Sequence, residues 1–412
     1  MRRGAVRSLV LGMLALAAFA TAAQAQGTLK IAYIDPLSGG AASAGILGEK
    51  HFNYFIDKIN AAGGVNGQKL EVVSFDSKVN PQESLIVLKK VFDDGIRYVA
   101  QGNGSLVAHA ITDAVLKYNE RNPGKEVVYF NYAAVDPALT NEKCNFWHFR
   151  FDADADMKME ALTNFMAKQK NIKKVYLINQ DYSFGKAVAA AANKMLKAKR
   201  PDIQIVGDEL HPLQKVTDFS PYVAKIKASG ADSVITGNWS NDMLLLIKAG
   251  KDAGLKVDWY TYYAGALGAP TAIGKDGVGH VKQVTEWHKN ATVEPDPDML
   301  GYEKRFTGKE DDFSFWRIKT MFEMWVLAMK NAKSNDPVKV AKALEGLKYK
   351  TTVGDVEMRA DNHQLLQPLF ISTMSDKVKY DVEHTGVGFV TNGKIDAKDT
   401  ATPTTCKMER PK

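Results

Sequence analysis

Short apolar runs alternate with helical stretches twice over in this chain, and that alternation constrains its fold more than any other feature. A strand-like run at 29–34 leads into a helix over 46–62, where Phe52, Phe55, Ile56 and Ile59 recur at the spacing of one helix face. Gly63-Gly64 ends that helix, and Asn66-Gly67 turns the chain into a strand over 69–75. A helix over 81–92, a strand from Ile96, a helix over 106–118 and a strand over 126–131 continue the series. After an aromatic segment at 144–150, a second series sets helices over 157–168, 183–198, 219–228 and 243–253 against strands over 173–178, 203–206, 231–236 and 257–263. Such alternation predicts parallel, doubly wound sheets in an α/β protein of two similar units. A long helix over 315–332, rich in Trp, Met and Phe, reads as core packing.

In open α/β sheets, ligands sit at the carboxyl ends of the strands. Here those ends are Leu37-Ser38, Gly104-Ser105, Ala133-Ala134, Asp181-Tyr182, Asn238-Trp239 and Tyr262-Tyr263. The most informative is IRYVAQGNGSLV at 96–107, a strand running into Gly102-Asn103-Gly104-Ser105 and then a helix. Free N–H groups at the positive end of a helix dipole hold an anion, a carboxylate as readily as a phosphate. This turn is therefore expected to grip the acidic end of a small ligand, with the second unit supplying the opposite wall.

The first 25 residues are expected to be a cleaved export signal. Arg2, Arg3 and Arg7 precede an apolar run of twelve at 9–20, and Ala23-Gln24-Ala25 fits the small-x-small cleavage rule. That run is too short to span a membrane, and with no cysteine near the cleavage site no lipid anchor is expected. The mature 387 residues exceed one ordinary core, so two domains are expected. Cleavage lowers Lys+Arg from 54 to 51 against 47 acids, leaving +4 spread along the chain, which gives no reason to expect nucleic acid. Cys144 and Cys406 are compatible with one disulfide or with two free thiols, and they have no metal-site spacing.

Enzymatic motifs are missing or incomplete. Gly102-Asn103-Gly104 half-matches the dinucleotide fingerprint, but Val107 stands where its third glycine belongs, and the turn does not follow the first strand. No Walker loop, G-x-S-x-G elbow or H-E-x-x-H occurs, and the eight histidines are scattered. Asp152-Ala153-Asp154-Ala155-Asp156 opens like a calcium loop, yet Met157 replaces its glycine and Thr163 its final glutamate. These aspartates are expected to cap the helix that follows. Neither a metal nor a cofactor is expected.

Several segments together resemble one family. Asp35-Pro36-Leu37-Ser38-Gly39, the run Ile59-Asn60-Ala61-Ala62-Gly63-Gly64-Val65-Asn66-Gly67, Phe75-Asp76-Ser77 and the segment 94–99 are similar to the branched-chain amino-acid-binding (leucine/isoleucine/valine-binding) proteins of ABC importers. So are the segments 133–140, Tyr182-Ser183-Phe184-Gly185 and Asp218-Phe219-Ser220. The resemblance implies a type I periplasmic binding protein fold, two doubly wound parallel-sheet lobes joined by a three-segment hinge and closing over ligand. It places the N-terminal lobe at 26–151 plus 287–366 and the C-terminal lobe at 152–286 plus 367–412.

Position by position, the resemblance matches Ser105 to the serine that binds the ligand α-carboxylate, with backbone at Ala133. Val135 takes the place of a second carboxylate-binding hydroxyl and keeps only its backbone N–H. Phe184 and Trp239 fall where the second lobe carries tyrosines, and Ala44 replaces an aromatic of the first. Val79 and Gly104 stand at the family archetype's disulfide positions. Tyr263 aligns with the glutamate that neutralises the ligand's ammonium. Either another acid, Asp181 or Asp152, then takes that role, or the ligand has no ammonium. With Tyr182 and Tyr262, these side chains form an aromatic set suited to a flat ring. The ligand-binding set is therefore Gly104, Ser105, Ala133, Val135, Tyr182, Phe184, Trp239 and Tyr263.

The expected function is a monomeric periplasmic solute-binding protein that delivers a small carboxylate, an apolar amino acid or an aromatic or other organic acid, to a membrane permease. A periplasmic sensor module that passes its closed state to a signalling receptor is the alternative. A hydrolase acting on an acidic substrate lacks a nucleophile–base pair.

Overall fold

The computed structural model describes residues 27–308 and 311–411, so the expected export signal lies outside the described residues. The first sheet holds β1 (Leu29–Asp35), β2 (Leu70–Asp76), β3 (Tyr98–Gln101), β4 (Val128–Asn131) and β5 (His148–Arg150) in the order β2-β1-β3-β4-β5, all parallel. Strands β3 and β4 are buried at every residue, because helices cover both faces of a parallel sheet and its central strands become continuous apolar runs. Local chemistry starts the helices where expected. Asn80 accepts hydrogen bonds from the Gln82 and Glu83 N–H ahead of Pro81–Asp93, and Asp154 caps Ala155–Met166 by accepting from Met157 N at 2.8 Å.

The second sheet repeats the pattern with β6 (Lys174–Gln180), β7 (Gln204–His211), β8 (Ser233–Thr236), β9 (Asp258–Thr261) and β10 (Val281–Thr285), parallel in the order β7-β6-β8-β9-β10. A small antiparallel sheet of β11 (Lys348–Thr351), β12 (Gly354–Met358) and β13 (Leu365–Leu366) follows. Then β14 (Leu369–Ser375) and β15 (Gly388–Ile395) extend the second sheet to seven strands. These two join antiparallel, so the second lobe is mixed at one edge and not purely parallel. The cause is connectivity: β14 enters directly from the other lobe and pairs with β15, with no helical crossover to reverse its direction.

Both lobes share the doubly wound order 2-1-3-4-5, whose topological switch point lies between its first and third strands. In the first lobe that is the gap between the ends of β1 and β3, and in the second between β6 and β8. The chain passes between lobes after β5, after β10 and between β13 and β14. The helix Trp316–Ala332 places Trp316, Phe322 and Trp325 in the first lobe's core, as its apolar stripe predicts.

The last residues depart from expectation. Instead of staying with the second lobe, the tail beyond β15 returns to the first. Thr404 Oγ1 donates to the Thr140 carbonyl at 3.2 Å, Arg359 Nη1 to the Thr402 carbonyl at 2.7 Å, and Cys406 is disulfide-bonded to Cys144. A covalent bond to the segment before β5 fixes where the tail must lie.

Candidate functional site

Between the two switch points lies a cleft lined from both lobes. Ser43, Ala44, Gly102 to Ser105, Ala133 to Val135, Ser314, Phe315 and Arg317 line one side, and Tyr182, Phe184, Trp239, Ser240, Tyr263, Ala266 and Leu267 the other. Ser240 Oγ donates to the Gly40 carbonyl at 3.2 Å, so the lobes touch across the cleft.

The glycine turn is built in two layers. Asp35, at the end of β1 and fully buried, accepts hydrogen bonds from Gly102 N (3.1 Å), Asn103 N (2.8 Å) and the Tyr132 hydroxyl (2.7 Å). The first two N–H groups of the turn thus serve a carboxylate of the protein itself. Beyond them, Gly104 takes a φ of +97°, and a Cβ there would meet Val79 Cγ1 at 3.0 Å. Gly104 also occupies the N-cap of Ser105–Arg121 without a side-chain acceptor; Val107 N–H donates to the Gly104 carbonyl, while the Ser105 and Leu106 N–H groups have no hydrogen-bond partner among the described residues. Ser105 is 2% exposed, and its Oγ accepts from Asp136 N at 3.3 Å, which leaves the hydroxyl proton for a ligand. The Ala133 N–H is engaged by Asn131 Oδ1 at 3.2 Å.

Three more helices begin at the cavity. Tyr182 and Phe184 flank the start of Ser183–Lys199, Ser240 caps Asn241–Asp252, and Phe315 caps Trp316–Ala332. Their converging positive ends favour an anion. Trp239 Nε1 donates to the Tyr182 hydroxyl at 2.8 Å, which locks these two rings into one wall with Phe184. Burial pushes the Tyr182 and Tyr263 hydroxyls well above their ordinary range, so both stay neutral donors.

No carboxylate lines this cavity among the described residues. The two acids considered as replacements for the ammonium-binding glutamate are spent elsewhere: Asp181 pairs with Lys186 at 3.0 Å and Asp152 with Lys158 at 2.9 Å. The charged group that does line it is Arg317, whose Nη1 donates to Glu286 Oε1 at 2.9 Å and lies 3.5 Å from Asp152 Oδ2. Burial raises the Glu286 carboxyl, but Arg317 and Lys158 outweigh it and hold the group below its ordinary range.

All eight residues expected to bind ligand line this one cavity. Tyr262 does not: its hydroxyl donates to the Ala155 carbonyl at 2.8 Å, and it lines a neighbouring cavity. Arg317, Ser314 and Phe315 escaped the sequence reading. The available signal was a lone cation inside the apolar run Phe315-Trp316-Arg317-Ile318, at the start of a helix.

A periplasmic binding protein family model matches residues 28–379 of the chain. The chain belongs to that family. This periplasmic binding protein is 36% identical over 394 residues to a Leu/Ile/Val-binding protein homolog 4 of Brucella melitensis, covering 93% of each chain. The closed conformation of a leucine-, isoleucine-, valine-, threonine- and alanine-binding protein from Brucella ovis superimposes with a TM-score of 0.82 at 34% identity, covering 93% of this chain and 100% of that one. An R. palustris solute-binding protein of an ABC transporter, in complex with benzoate, shares the fold, with a TM-score of 0.78 at 16% identity, covering 92% and 100%. The type I fold and the bilobed cleft are thus those of solute-binding proteins.

Proposed function

We propose that this periplasmic binding protein is the exported solute receptor of an ABC importer, and that it captures a small carboxylate with an apolar or aromatic body and no ammonium group. The observation that carries the ligand class is the charge inventory of the cleft. The open N–H groups and hydroxyl around Ser105 face a wall of Tyr182, Phe184, Trp239 and Tyr263, and the charged lining residue is a cation. An ammonium sealed there without a counter-charge costs several kcal/mol. Ligand favours the closed lobes, and the membrane permease reads that state. A signalling receptor would read the same closure, and a permease or a receptor encoded beside the protein separates the two.

The names of the Brucella relatives support a second reading, a branched-chain amino acid. A melting screen decides between them, because ligand at a hundred times its Kd adds about 2.7 kcal/mol of stability. Benzoate-type acids are expected to raise the Tm more than leucine does. The opposite ranking refutes the missing ammonium, and no response to either class refutes carboxylate capture.

A further inference from the structure

We propose that the ligand carries a second oxygen, a carbonyl or hydroxyl, which accepts from Arg317, so that the preferred class is an oxo or hydroxy acid. This deepens the acid-binding reading above and rests on it.

Arg317 is in an unfavourable place for a purely structural cation. It sits in the first turn of Trp316–Ala332, where the helix dipole disfavours positive charge, and it is 7% exposed. Glu286 and Asp152 compensate the charge, but both lie against Nη1. A guanidinium offers five N–H donors. The Nε–H is buried without a partner, and among the described residues the side chain's hydrogen bond to protein leaves from Nη1. Buried donors left unpaired are costly, so a group from outside the chain is expected to satisfy them.

Arg317 lines the ligand cavity and also the neighbouring one, on a partition shared with Tyr263, Ala266, Leu267 and Ser314. A ligand held at Ser105 therefore meets it inside the same space. The surroundings select the kind of group. Lys158 and Arg317 already balance Asp152 and Glu286, so an uncharged oxygen satisfies the donors without adding an anion beside two buried carboxylates. An ammonium would face the guanidinium and find no carboxylate among the described residues that line the ligand cavity. Asp152 Oδ1 also lacks a partner, but Asp152 lines neither cavity.

Two matched ligand sets test this by titration calorimetry on the intact protein. One is leucine, 4-methylpentanoate and 4-methyl-2-oxopentanoate, which share a skeleton, and the other is benzoate with its 3- and 4-hydroxy derivatives. In at least one set the oxygen-bearing acid is expected to bind roughly tenfold or more tightly than its unsubstituted parent, as a hydrogen bond to a charged group implies. Arg317→Lys keeps the charge beside Glu286 but loses the planar donors, and it should erase that advantage while the parent acid still binds. Should that variant not fold, Arg317→Met combined with Glu286→Gln removes both charges together and makes the same comparison. Parent acids that bind as tightly as their oxygenated forms, or an advantage that survives the Arg317 variants, overturn the inference and leave acid binding intact. Failure of every acid to bind overturns the acid-binding reading and this inference together.

Discussion

Asp35 sets the character of the glycine-turn side of the cleft. It draws the Gly102 and Asn103 N–H groups inward, so a ligand is left with the helix's first turn and the Ser105 hydroxyl. Burial outweighs these bonds and pushes its carboxyl up to about 7. The native protein then binds more protons than the unfolded chain between about pH 4 and 7, and its stability falls as pH rises across that window. Below it both states are protonated, and above it the loss is complete, on the order of 3–4 kcal/mol. Denaturant titrations of the wild type and Asp35→Asn should therefore diverge from pH 4 to 7, with the wild type losing ground, and run parallel above. A difference constant with pH contradicts the assignment. The residues Asp35-Pro36 were legible as part of a family segment. What Asp35 touches was not, because its partners Gly102, Asn103 and Tyr132 meet it only once β1 and β3 lie side by side.

The helix Ser105–Arg121 carries the test of the carboxylate grip. Ser105→Ala removes one hydroxyl and spares the backbone donors, so acid binding should weaken by about 1–3 kcal/mol in calorimetry; unchanged affinity removes Ser105 from the site. Elements such as this one were readable because their signals are local. A strand, a glycine turn and a helix start stand within a dozen residues, and the second lobe repeats the arrangement at Tyr182 and Trp239. The adjacent pair Tyr262 and Tyr263 shows the limit of such reading, since of these neighbours at a strand end Tyr263 lines the ligand cavity and Tyr262 does not. Arg317 was hidden for another reason. Its helix carries an apolar stripe that truly is core, and the one turn reaching the cleft gives no periodic signal. The strands β5 and β10 to β15 were not read; among them β14 and β15 follow the helix–strand series and pair antiparallel, outside the alternation that betrayed β1 to β4 and β6 to β9.

At the scale of the molecule, three passages between the lobes form the hinge, and buried Arg150 ties the first and third of them. Its Nε donates to Gln364 Oε1 at 2.6 Å, its Nη1 to the Asp136 carbonyl at 2.5 Å and its Nη2 to Asp154 at 3.1 Å. The tail adds a covalent tie. The Cys144–Cys406 bridge spans 262 residues and so encloses the whole second lobe in one loop. Replacing both cysteines by serine should cost about 2–4 kcal/mol in a melting or denaturant experiment. Ligand affinity should hardly change, because among the described residues none of the tail lines the cleft. An unaltered midpoint would show that the tail's hydrogen bonds hold it without the bridge.

The central claim is that two facing switch points enclose an acid and offer nothing to an ammonium. Titration calorimetry of leucine against 4-methylpentanoate, the same skeleton without the amine, tests it most directly. The acid is expected to bind more tightly than leucine; tighter binding of leucine would contradict the account.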